Sequence, residues 1–473
     1  MTKIQGIVLS FLLLIFSCQT AEDDFVDTTD EKSIIPVTNH DGKPFDSGKS
    51  PSIIKSFNAG PGGGVMMQAF YWDVPAGGTW WNTVKSKVTS WSNVGIDAIW
   101  LPPVSKAQNG PFSMGYDPMD YFDFGNYNQN GTVETRFGSK TELVSLITKS
   151  HQQNVKVFAD MVLNHNSGGQ LESNIFTGGQ TWTDFSGVAS GKFQRSQYDF
   201  HPNLIHNNDS GAFGGYPDLC HDNAYVQDWL WNRSDGVGKY YKNVMKFDGW
   251  RFDYVKGFSP WVINSWNNNV GGFSVGELWD SNVNLLESWA NNANSAVFDF
   301  ACYYKMHDAF DSNNLYKLKD DMMWKRNPYK AVTFVSNHDT NVIYKKMLAY
   351  AYILTHEGYP TIFYKDYEVW LNKASLNNLI WIHNQKATGT TSILYTDTDE
   401  YIARRNGHNG QPGLIVYLNN SNYWKERWVP SKWYGVQIKD FTGHSGWLPY
   451  TQGNGWVKIQ CPPNSYSIWS VNY

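Results

Sequence analysis

The chain carries little charge for its length. Asp, Glu, Lys and Arg together make up 17% of its 473 residues, and the formal net charge is −5. Such a surface offers no basic stripe for nucleic acid and no strong field for an acidic polymer, so a neutral or small partner is expected. Cysteine is scarcer still, at four residues: Cys18, Cys220, Cys302 and Cys461. That excludes a disulfide-built scaffold and leaves the core to apolar packing. The apolar run at 7–16 is too short to cross a bilayer, and no internal repeat or long low-complexity tract is present.

What is abundant is aromatic: 16% of the chain, with 22 Trp and 28 Tyr. Core and strand packing absorb many of these rings. So many flat, amphipathic faces also suit stacking against the apolar faces of sugars.

The N-terminus reads as an export signal over residues 1–18, with Lys3 ahead of the apolar run and Ser17-Cys18 at its end. That ending resembles a bacterial lipoprotein signal, with Cys18 as the lipidated first residue. The following Ala21-Glu22-Asp23-Asp24 is similar to the surface-export tag of some outer-membrane lipoproteins. Localisation is therefore expected to be exported, at the outer membrane facing the cell surface, with a secreted or periplasmic protein as the alternative. Residues 19–60 carry eight acidic and four basic side chains with no sustained period, a solvated tether. With Cys18 lost to lipid, three cysteines remain, so at least one thiol is free or bound to something other than a second cysteine.

From about residue 65 to 385, short apolar runs alternate with longer amphipathic stretches, as repeated βα units do. The runs fall at 65–70, 98–101, 155–160, 249–253, 273–276, 296–298, 332–335 and 361–364. Helices are expected at 81–94, 140–152 and 376–387. Eight parallel strands with helical returns predict an α/β fold, a closed (β/α)8 TIM barrel, with its site at the carboxyl ends of the strands. The barrel is assigned to 61–163 and 223–387, interrupted after strand 3 by a small inserted domain at 164–222 rich in Gly, Asn, Ser and Asp. Residues 388–473 change to short β runs divided by turns, which predicts a C-terminal antiparallel β-sandwich.

Polar residues end four of the strands: Asp160 with Asn164 and His165, Arg251 with Asp253, Glu277, and Asn337-His338-Asp339. One strand-end Asp is ordinarily a cap or turn residue. Four such clusters on different strands aim carboxylates and imidazoles at one mouth. Glycosidic cleavage gives converging carboxylates a purpose, because one must protonate the leaving oxygen while another meets the positive charge developing on the sugar.

These four segments resemble the four signature regions of glycoside hydrolase family 13, the α-amylase family, over nearly all of 65–473. Within it the chain is most similar to archaeal and plant-type α-amylases, through Met67-Gln-Ala-Phe-Tyr-Trp-Asp73, Gly115-Tyr-Asp-Pro118, Gly131-Thr-Val-Glu-Thr-Arg-Phe-Gly138 and Asp199-Phe-His-Pro-Asn203. The resemblance implies retaining endo-hydrolysis of α-1,4-glucan, with starch, glycogen or a malto-oligosaccharide as partner and a monomeric enzyme. It makes Asp253 the nucleophile, with Arg251 as the cation beside it, Glu277 the general acid and then base, and Asp339 the third carboxylate. His165 and His338 would donate hydrogen bonds to the same sugar, Tyr116 would stack beneath it, and Lys256 would reach the leaving-group side. Asp160 would orient Arg251.

The resemblance also implies metals. Asn164, Asp209 and Asp218, with the carbonyls of Gly211 and Gly257, would form a Ca2+ site that braces the catalytic strand end; these are hard oxygen donors. His201, His206 and Cys220 are the ligand types of Zn2+, and a similar trio forms a zinc site in archaeal relatives. Where those relatives carry cysteines just before the calcium-binding Asp, this chain has Asn207-Asn208. Two other functions stay open. The same residues could transfer a glycosyl group to a sugar hydroxyl. Alternatively, a surface glucan-binding lipoprotein could carry an inactive barrel, although the intact Asp253, Glu277 and Asp339 argue against it.

Overall fold

The structure, a computed structural model, describes residues 63–209, 211 and 213–472. The export signal, the tether and Cys18 lie outside the described residues.

Eight parallel strands close into a barrel in sequence order: β1 (Val65–Gln68), β2 (Ile96–Leu101), β3 (Lys156–Met161), β4 (Gly249–Phe252), β5 (Phe273–Gly276), β6 (Ala296–Phe298), β7 (Ala331–Phe334) and β8 (Tyr359–Phe363). Each of the eight expected runs supplies one of them. β1 pairs with β2 on one side and β8 on the other, so the sheet has no open edge. The strands read as continuous apolar runs because both faces are covered, inside by barrel side chains and outside by helices. Among those helices are α1 (Trp80–Val94), α2 (Lys140–Gln152), α3 (Trp261–Asn269), α4 (Val283–Asn292), α5 (Phe300–Phe310), α6 (Lys346–Ile353) and α7 (Lys373–Lys386). Helix α2 begins with a reciprocal capping box. The Ser139 hydroxyl accepts from the Glu142 amide while the Glu142 carboxylate accepts from the Ser139 amide, which satisfies two otherwise orphaned donors.

Within 164–222 an antiparallel hairpin, Gln170–Asn174 with Gly179–Asp184, leaves the barrel after β3. The returning chain pairs again with what it left: His165 bridges Asp218 and Phe200 bridges Leu219. The end of the excursion is thereby tied to the residues that follow β3.

The C-terminal domain consists of two antiparallel sheets. The larger has the order β9 (Thr391–Thr396), β10 (Glu400–Arg405), β11 (Leu414–Asn419), β15 (Ser465–Val471) and β13 (Ile438–Asp440). The smaller pairs β12 (Lys425–Pro430) with β14 (Trp456–Cys461). Val429, Val457 and Ile459 from the small sheet share a core with Ile402, Ile415, Tyr417 and Trp469 from the large one. Sequence reading did not anticipate β12 or β13. Lys425-Glu-Arg-Trp-Val-Pro430 shows neither an apolar run nor a clean alternation, and its outward face is polar or aromatic. Cys220, Cys302 and Cys461 are buried and free of disulfides.

Candidate active site

The barrel ladder sets the heights of the strand-end side chains. Asp160 on β3 is in register with Arg251 on β4, and Phe252 with Gly276 on β5. The ladder runs one residue further, since the Asp253 amide donates to the Met161 carbonyl and the Glu277 amide to the Phe252 carbonyl. Asp253 and Glu277 therefore leave adjacent strands at nearly the same level. Gly276 allows this on the outside of the barrel, because a Cβ there would lie 2.1 Å from the Trp289 ring of α4.

Arg251 is buried at the centre of the acidic cluster. Its Nη1 donates to Asp160 Oδ1 at 2.8 Å and to Asp253 Oδ1 at 2.6 Å, and its Nη2 lies 2.6 Å from Glu277 Oε1. A guanidinium is a rigid planar fork, so sharing it bounds the facing Asp253 and Glu277 oxygens to within about 7.5 Å of each other. Asp160 is held in turn by the Trp100 indole N–H at 3.0 Å and the Tyr116 hydroxyl at 2.9 Å. It meets the arginine from the β3 side.

The surroundings treat the carboxyls differently. Burial pushes Glu277 up to about 8, reinforced by the nearby Asp253 and Asp339 charges and opposed by Arg251. Its Oε2 accepts the Tyr254 amide at 3.1 Å. Burial also acts upward on Asp339, but the His338 ring and Arg251 outweigh it and hold that carboxyl below its ordinary value. His338 Nε2 is 2.9 Å from Asp339 Oδ2, and its Nδ1 faces the Gln68 amide at 2.9 Å.

Above this floor lies an aromatic layer. Tyr116 stacks on His338 with ring centroids 5.4 Å apart and planes 16° from parallel, and Trp72 stacks on Tyr116 at 5.9 Å and 20°. Trp72 is 46% exposed and presents a ring at the mouth. It lies in the motif 67–73, but neither periodicity nor composition marks it apart from a core aromatic. Gln68 and Trp100 were missed for the same reason: at the ends of β1 and β2 they read as strand residues. His165 is turned inward. It is fully buried, its Nε2 faces the Tyr116 carbonyl at 3.0 Å, and Phe213 and Tyr216 stack on it at 4.9 and 5.3 Å. Lys256 follows β4 with Nζ 3.2 Å from Asp280 Oδ2.

Beside the mouth, oxygens converge around Gly211. A Cβ built there would meet the Gly257 carbonyl oxygen at 2.4 Å, Asp218 Oδ1 at 2.6 Å and Asp209 Oδ1 at 2.7 Å. Asn164 donates its amide to the Gly211 carbonyl while its buried Oδ1 has no donor. Burial and the neighbouring Asp218 carboxylate raise Asp209 above its ordinary value, as like charges brought together without a cation must. His201, Asp209 and Asp218 form, among the described residues, the group of His, Cys, Asp and Glu whose ligand atoms all lie within 4.8 Å of one another. This grouping cuts across the two expected metal sets. His201 sits with the acidic pair, its Nδ1 2.9 Å from Asp218 Oδ2, while the His206 ring is 5.3 Å away between centroids and Cys220 is buried.

A family profile of the alpha-amylase catalytic domain matches residues 53–393, and one of the alpha-amylase C-terminal domain matches 414–470. The chain belongs to the α-amylase family. It is a glycoside hydrolase of α-1,4-glucans. The α-amylase of Geobacillus stearothermophilus is 28% identical over 87% of this chain and 87% of its own length. The chloroplastic alpha-amylase 3 of Arabidopsis thaliana is 29% identical over 70% of this chain and 39% of its own length. Among solved structures, an Anoxybacillus alpha-amylase superposes with a TM-score of 0.68 at 18% identity, covering 86% of this chain and 98% of that one.

Proposed function

We propose that this α-amylase is a retaining endo-hydrolase that cleaves internal bonds of starch, glycogen and malto-oligosaccharides by double displacement. The observation that supports this most is the guanidinium shared by Asp253 and Glu277, which draws both carboxyls to one cation and admits the separation of roughly 5–5.5 Å that retaining enzymes use. Asp253 attacks the anomeric carbon and the C1–O bond breaks. Glu277, protonated because burial raises it, gives its proton to the departing glycosidic oxygen. A water then yields a proton to the Glu277 carboxylate and attacks C1, releasing Asp253 and regenerating the acid. Asp339 and His338 hold sugar hydroxyls in the distorted ring, Tyr116 and Trp72 offer stacking faces, and Lys256 lies toward the leaving-group side. Incubating a defined malto-oligosaccharide and following product length and anomeric form tests the reading. The first-formed reducing ends should be α and the products should include internal cuts; β products would reject retention.

The oxygens about Gly211 fit a hard cation. Asn164, Asp209 and Asp218, with the Gly211 and Gly257 carbonyls, would hold Ca2+, and turning the Asn164 amide over presents its oxygen instead of its nitrogen. Bound there, the ion would neutralise the paired aspartates and tie the insert to the turn just after Asp253. His201, His206 and Cys220 would hold Zn2+ only after His206 moved toward the other two. Chelation should lower the melting temperature markedly, and Gly211→Ala, whose methyl occupies the convergence point, should melt at the chelated temperature and no longer respond to chelator. An unchanged melt would remove calcium, and elemental analysis of the purified protein with no zinc would remove the second metal.

A further inference from the structure

Helix α5 packs beside β7, and a row of its polar side chains faces the segment that follows Asp339. Tyr303, His307 and Asp311 are spaced four apart, Asp311 standing at the helix end, so they lie one above another on one face. His307 links the row, with Nδ1 2.5 Å from Asp311 Oδ2 and Nε2 2.9 Å from the Tyr303 hydroxyl. The Tyr303 ring is buried and stacks on Phe334, the last residue of β7, with centroids 5.2 Å apart and planes 12° from parallel. That packing fixes where its hydroxyl stands.

The row reaches the mouth through the backbone. The Tyr303 hydroxyl donates to the Asn341 carbonyl at 3.1 Å and also has the Thr340 side chain as a partner. Asp311 Oδ1 accepts the Tyr344 amide at 2.8 Å, so α5 grips residues 340–344 at both ends. Thr340 passes the restraint on. Its hydroxyl accepts the Asn337 amide at 2.9 Å, and Asn337 Oδ1 in turn accepts the Asp339 amide at 2.8 Å. These bonds count because packing holds the segment loosely: Val342 and Tyr344 are 51% and 74% exposed, and Ile343 between them is buried. The Asp339 side chain is itself 38% exposed, so the walls of the mouth hold it in part and the backbone beneath it must do the rest.

We propose that Tyr303, His307 and Asp311 are positioning residues for Asp339: through Thr340, Asn341 and Tyr344 they set where that carboxylate stands in the mouth. The proposal rests on the reading of Asp339 as the group that holds the distorted sugar. A carboxylate that acts on the distorted ring favours the transition state over the bound ground state. Displacing it therefore lowers kcat and leaves KM nearly as it was.

The test is a double-mutant cycle in the full chain, with kcat and KM measured on maltopentaose. Tyr303→Phe removes one oxygen and keeps the ring on Phe334. It should lower kcat about tenfold, change KM by less than about twofold and leave the melting temperature close to wild type. In an Asp339→Asn background, where the carboxylate is gone, the same change should alter kcat by less than about twofold. His307→Leu breaks the link between Tyr303 and Asp311 and should repeat the pattern in weaker form; it also serves if Tyr303→Phe does not fold. A partly unfolded sample, or a loop that is merely loosened, would lose the same factor in both backgrounds, and equal losses overturn the proposal. So does wild-type kcat in Tyr303→Phe, or in His307→Leu where that variant stands in for it. Failure of the Asp339 reading is told apart by Asp339→Asn alone, which would then keep wild-type kcat and overturn both.

Discussion

Asp253→Asn and Glu277→Gln should each lower kcat/KM on soluble starch by at least about 10²–10⁴-fold with little change in melting temperature. Neither replacement changes shape, so the buried cluster keeps its packing. Asp253→Asn removes the attacking oxygen anion, and Glu277→Gln removes the proton that the leaving oxygen needs. Burial raises Glu277 to about 8, so it holds its proton through neutral pH and acts as the acid there. As pH rises past that value the proton is lost, and kcat/KM should fall along an alkaline limb near pH 8. In Glu277→Gln that limb should vanish from whatever activity remains. Near-wild-type hydrolysis in either variant would overturn the assignment of both carboxylates.

Replacing Arg251 should cost the most stability. Its side chain is 1% exposed and faces Asp160, Asp253 and Glu277 together. Arg251→Leu leaves those carboxyls buried without a cation, and removing one partner of a buried ion pair typically costs about 3–5 kcal/mol. The sign of its pH dependence follows from the same change. Without Arg251 the folded Asp160 and Glu277 carboxyls, already raised by burial, rise further above their unfolded values, so the folded state binds more protons than the unfolded chain. Stability must then fall as pH climbs between the unfolded and folded values. The melting-temperature deficit relative to wild type should be larger at pH 8 than at pH 5. Arg251→Lys keeps a charge but replaces the planar fork by a point, so it should recover part of the loss at most. A leucine variant that melts with wild type at pH 8 would show that the guanidinium does not hold the cluster.

Much of this protein was legible in its residues. The eight barrel strands are buried on both faces, so each appears as an uninterrupted apolar run, and the polar residue that ends a run marks the mouth. Asp160, Arg251, Asp253, Glu277 and His338-Asp339 could be found that way, because strand ends in a parallel barrel share one rim. The β12 strand could not, because its outward face carries Glu426 and Trp428 and its inward face begins with Lys425 and Arg427. Trp72 was equally silent, since a ring at a rim and a ring in a core have the same spelling.

The sequence by itself determined which chemical groups this chain owns and the order in which the strands present them, because burial on both faces and period-two or period-3.6 patterning are local properties of a chain. Only the tertiary structure decided which groups meet. One guanidinium joins carboxylates from three strands, and His201 turns to the aspartates. Those contacts join residues far apart in the chain, and no local pattern carries the distance between atoms that closure of a barrel and pairing of a sheet impose.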